Sequence, residues 1–146
     1  MKSAIGGALL CVLASLQPAP AAQCAARTPE FLAEVLTKYY SARNLAALDG
    51  LGLRAGTVTL RITHSISDDV DRVFKVSRLS NADAILERYS KDGLPGANVW
   101  PLDACSANKC EFHGSQLHNN LFLSSFTFRQ VAGCSRITGI VLEDGD

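Results

Sequence analysis

Residues Asn119–Leu142, NNLFLSSFTFRQVAGCSRITGIVL, decide the fold class of this 146-residue chain. They read as two β-strands joined by a short turn and hold the densest apolar run outside the N-terminus. Side chains alternate across a strand. Phe122, Phe126 and Phe128 are therefore expected on one face with Ser124, and Leu121, Leu123, Ser125, Thr127 and Arg129 on the other. An aromatic face opposite one that grades from apolar to polar is the pattern of an antiparallel strand with one side on a core. Beyond Ala132-Gly133, Ile137 and Val141 alternate with Ile140 and Leu142, which predicts the returning strand.

Working outward, the cleanest alternation elsewhere begins at Gly56. Val58, Leu60 and Ile62 fall on one face of that strand, and Thr57, Thr59, Arg61 and Thr63 on the other, with His64 continuing the apolar side. Ser67-Asp68-Asp69 is a turn, and Arg72–Leu79 reads as the strand that comes back, although Val70, Val73 and Phe74 also fit helical spacing. Two helices flank this pair. Thr28-Pro29-Glu30 caps the first, whose apolar positions Phe31, Leu32, Val35, Leu36, Tyr39 and Tyr40 run to about Arg43 before Gly50-Leu51-Gly52. The second starts at Ser80-Asn81, carries Ala82, Ile85, Leu86 and Tyr89 as its stripe, and closes at Lys91-Asp92-Gly93. Val99-Trp100-Pro101-Leu102 is extended, a hairpin is expected around Cys105–Cys110, and Glu143–Asp146 reads as a polar, frayed end.

This order of elements predicts an α+β fold: a single curved antiparallel sheet with two helices packed on one face. Cystatin-like and nuclear-transport-factor-like rolls are similar in shape. The resemblance rests on element order, with no motif behind it, and such rolls host enzymes and plain binding modules alike.

The N-terminus carries Lys2, an apolar segment from Ala4 to Leu16 and Ala19-Pro20-Ala21, the three parts of a secretory signal peptide. Residues 1–21 are expected to be removed, leaving 22–146 as one exported domain. The apolar segment is shorter than the roughly 20 residues that span a bilayer, so no stable membrane insertion is expected. Cationic and acidic side chains number 14 each, and release of Lys2 leaves one acid in excess. With no basic patch there is no footprint for nucleic acid.

Cys11 leaves with the signal peptide, and four cysteines remain. An even count in an exported chain reads as two disulfides with three possible pairings. The preferred pairing is Cys105–Cys110 across a short loop, with Cys24–Cys134 tying the N-terminus to the tip of the C-terminal hairpin.

Three constellations carry chemistry. Cys105, Cys110, His113 and His118 hold the residue types of a zinc or copper site, but their spacing matches no familiar finger and oxidation would consume the thiolates. No metal and no cofactor is therefore expected. His64 closes the apolar face of its strand beside Asp68, Asp69 and Asp71, so His64 with Asp68 or Asp69 is the candidate general-base pair; the plainer alternative is a histidine at the rim of the core beside a solvated turn. Tyr39, Tyr40, Tyr89 and the phenylalanines are expected in the core. Trp100, next to Pro101, is the candidate exposed aromatic for partner recognition. No nucleophile elbow, phosphate loop or metalloprotease motif is present. The expectation is a small exported, periplasmic or secreted, binding protein without catalysis, such as an inhibitor, immunity-type or accessory factor with a protein partner in the cell envelope. The alternative is an enzymatic or small-ligand-binding roll with a His/Asp base in its concave pocket.

Overall fold

The computed structural model describes residues 24–64, 70–89, 97–114 and 121–145. The segment read as a signal peptide, the turn at Ser67-Asp68-Asp69, the helix end at Lys91-Asp92-Gly93 and His118 lie outside them. Ten elements follow in order: α1 Pro29–Ser41, α2 Ala46–Gly50, β1 Arg54–His64, β2 Arg72–Val76, α3 Leu79–Tyr89, β3 Ala97–Val99, β4 Leu102–Cys105, β5 Lys109–Phe112, β6 Leu121–Val131 and β7 Cys134–Asp144.

The fold is α+β, with one open sheet in the order β2-β1-β7-β6-β5-β4 and β3 added beside β6. Two expectations need correction. The sheet is mixed, because β1 runs parallel to β7 in its centre and β3 parallel to β6. Three helices, rather than two, contribute to the core. Leu45–Leu48 belongs to the separate short helix α2 and its approach.

Local chemistry accounts for the elements. Thr28 has extended backbone angles, and its Oγ1 accepts the Phe31 amide at 3.2 Å, while Pro29 opens α1. Leu32, Leu36 and Tyr40 then recur every fourth residue and are buried. At the tip of the long hairpin, Ala132 (φ 52°) and Gly133 (φ 77°) both adopt the left-handed conformation that a two-residue turn matching the strand twist requires.

A single cluster lies between one sheet face and the helices. β1 supplies Val58, Leu60 and Ile62, β7 supplies Ile137, Ile140 and Leu142, and α1 supplies Leu32 and Leu36. On β6, however, the simple alternation fails. Leu123 pairs with Leu142, but Ser125 pairs with Val141, so an extra residue sits at Ser124. The bulge switches the facing of everything before it. Leu123, Phe126 and Phe128 share the core, and Phe122, expected beside Phe126, is buried outside that cluster.

Both disulfides of the preferred pairing are present. Cys24–Cys134 joins residues 110 apart in sequence, and Cys105–Cys110 closes the β4–β5 hairpin, where the two residues are direct cross-strand partners. Beside the first, the Ser135 amide donates to the Ala26 carbonyl at 2.7 Å. No described helix is long and apolar enough to cross a membrane.

Candidate functional site

His64 ends β1 on the same face as Leu60 and Ile62. Its parallel neighbour in the register is Asp144, which continues the core face of β7 beyond Ile140 and Leu142. His64 Nδ1 lies 3.7 Å from Asp144 Oδ2, with the two side chains only 9% and 21% exposed. That distance is too long for a direct hydrogen bond and suits an ion pair once the imidazole is protonated. Tyr40 reaches the same end of the core, where its hydroxyl donates to the Leu121 carbonyl at 2.7 Å; Leu121 is the cross-strand partner of Asp144. Burial holds the Tyr40 hydroxyl well above the usual tyrosine range, against the opposing pull of the nearby Arg43 charge.

The carboxylate that faces His64 is thus Asp144, from the opposite end of the chain. Asp68 and Asp69, the partners expected from sequence, lie outside the described residues, and Asp71 pairs with Arg61 at 3.6 Å. Asp144 was legible in one respect. It and His64 are both polar residues at the core parity of a long β-strand, which marks a place where two strands end together. The frayed end expected for Glu143-Asp144 is a paired β-strand instead.

Trp100 is half-buried and stacked on Phe122, with ring centroids 4.7 Å apart and planes at 20°. It is not a free surface aromatic. Tyr39 is half-buried beneath the Lys38 ammonium, and Tyr89 meets Phe74 edge to face. Cys105 and Cys110 are bonded to each other, while His113 is exposed. Among the described residues no three His, Cys, Asp or Glu side chains stand close enough to hold an ion.

A second polar arrangement locks the helices. Asp83 of α3 accepts the Leu45 and Ala46 amides at the start of α2, both at 2.9 Å. Asp49 of α2 accepts the Leu79 and Ser80 amides at the start of α3, at 2.7 and 3.4 Å, and also pairs with Arg54 at 3.0 Å. Each helix caps the other. Burial raises the Asp83 carboxyl above its ordinary value, opposed by the two amides and reinforced by the Asp49 charge.

A groove of about 470 Å³ runs between β2 and α3. Phe74, Val76, Ala84 and Ile85 line it together with the polar residues Lys75, Asn81 and Arg88. Val73, on the outward side of β2, is 49% exposed, and Val70 just before the strand is 82% exposed. No protein-family model matches this chain, and neither a curated protein nor a solved structure does.

Proposed function

We propose that this is a small exported protein that binds a partner without catalysing a reaction, in the manner of an inhibitor, an immunity-type protein or an accessory factor of the cell envelope. The observation that carries the reading is the division between engaged and open surface. Three polar groups at the interior serve structure: Tyr40 holds the Leu121 carbonyl, and Asp49 and Asp83 hold helix ends. The open surface is a groove of mixed apolar and cationic lining at a sheet edge, with the exposed valines Val70 and Val73 there, a surface suited to protein contact. Export is supported by the N-terminal pattern of Lys2, an apolar segment and Ala19-Pro20-Ala21, together with two disulfides. The likeness to cystatin-like and nuclear-transport-factor-like rolls belongs here as an analogy of shape.

A second reading, an enzymatic or ligand-binding roll, is favoured by the Asp144 carboxylate facing His64. An imidazole with a carboxylate to orient it is the arrangement of a general base. The small exposure of His64 weighs against it, because a base must reach its substrate.

Native mass, measured without reductant on protein recovered from the envelope and mixed with envelope extract, separates the two. The binding reading expects a complex of fixed stoichiometry that survives His64→Ala. A bound small molecule, or a turnover activity abolished by His64→Ala, overturns it.

A further inference from the structure

We propose that the edge formed by β2, with the groove beneath α3, is a strand-addition site for an extended, acidic segment of a protein partner. The inference rests on the binding reading above and names the partner chemistry.

Three observations carry it. First, β2 is the end of the strand order, and among the described residues no strand pairs with its outer side. An edge strand offers every second backbone N–H and C=O to an incoming chain. The opposite edge is blunted by contrast: β4 has a register shift between Leu102 and Ala104 and is tied to β5 by Cys105–Cys110. The β2 ladder with β1 runs from Arg72 to Val76 without a shift and contains no proline.

Second, the groove lies where alternate side chains of an added strand would point. Phe74 faces the core side of β2, opposite Leu60, and α3 presents Ala84 and Ile85 across from it. A strand laid along β2 would bury every other residue against these three, while its remaining residues lie beside Val73 and Lys75 on the outward face. Backbone pairing supplies affinity and the groove supplies selectivity in this mode of recognition.

Third, cations predominate around the edge. Arg72, Lys75, Arg78 and Arg88 are exposed and form no ion pair with a described residue, whereas Asp71 is engaged with Arg61. Charge complementarity therefore selects an acidic occupant. It also argues against a second copy of this chain, because two β2 edges brought together would each carry the same exposed cations, and like charges repel.

The test uses the full exported chain, both disulfides intact and ¹⁵N-labelled, titrated with a capped peptide alternating Glu and Val and with its Lys-Val counterpart. The expected result is that the Glu-Val peptide shifts amide resonances of residues 70–76 and of α3. It should slow hydrogen exchange along the free side of β2, and its affinity should fall with added salt. The double substitution Lys75→Glu with Arg88→Glu, both at exposed positions, weakens Glu-Val binding about tenfold or more and admits the Lys-Val peptide. Equal binding of the two peptides, shifts elsewhere, or no binding overturns the inference, as does a native dimer of the wild type that the double substitution dissociates. If the peptides fail while the envelope complex forms and ignores the double substitution, this site is wrong and the binding reading stands. Turnover lost in His64→Ala sinks the binding reading itself.

Discussion

A methyl group added at position 114 has no room: a Cβ there would lie 2.6 Å from Cγ of the Trp100 indole. Gly114 thereby fixes the ring that stacks on Phe122, and Gly114→Ala must push the indole off it. The expected cost is about 1–3 kcal/mol, read as a lower thermal midpoint together with a changed near-ultraviolet dichroism of the tryptophan. Tyr40 offers a second test. Its hydroxyl keeps its proton beyond the 10.0 at which an ordinary tyrosine titrates. Above that pH the folded chain binds more protons than the unfolded one, so stability falls as pH rises. Tyr40→Phe should cost about 1 kcal/mol near neutrality through the lost bond to Leu121. It should also flatten the alkaline decline, which denaturant midpoints at about pH 9 and pH 11 would reveal. Asp144 was not legible from the sequence around His64, because a carboxylate 80 positions away reaches it only through strand register.

Helices α2 and α3 depend on each other for their first turns. The sequence placed the start of α3 at Ser80-Asn81, and the acceptor for its first amides is Asp49, thirty residues back from Leu79; α2 relies likewise on Asp83. Removing Asp83 as Asp83→Ala should cost about 1–2 kcal/mol, with Asp83→Asn milder because an amide oxygen still accepts one of the two bonds. The pH dependence has a definite sign. With its carboxyl raised above 3.8 in the folded state, Asp83 stabilises relative to the unfolded chain at low pH. That contribution is lost as pH rises through the raised value. Asp83→Asn should remove this acid-to-neutral decline, measured by urea midpoints across that range. The β6 bulge is the other lesson at this scale. Alternation placed Phe122 with Phe126, but one inserted residue at Ser124 reverses the facing, and nothing in LFLSSFTF marks which residue is the extra one.

For the whole molecule, the Cys24–Cys134 bond is the larger constraint because it closes a loop of 110 positions. In the chain-entropy treatment such a loop contributes roughly 4–5 kcal/mol, against about 2 kcal/mol for the short Cys105–Cys110 loop. The paired substitution Cys24→Ser with Cys134→Ser should therefore lower stability by more than twice as much as Cys105→Ser with Cys110→Ser, as guanidinium unfolding would show. A reversed order would mean that the hairpin bond stabilises through strand register instead.

What the sequence determined by itself were the local matters: the capped first helix, the period-two strands and the tight turn at Ala132-Gly133. These depend on side-chain spacing and backbone preference within a few residues, whereas the cysteine pairing was a preference among three until the structure decided it. Only the tertiary structure decided that β1 lies parallel to β7, that three helices share the core, that Asp144 faces His64, and that β2 is left at the edge beside a cationic groove. Those outcomes come from pairing segments far apart in the chain. The same alternating pattern can be satisfied by several strand orders, and burial of the whole apolar face selects among them.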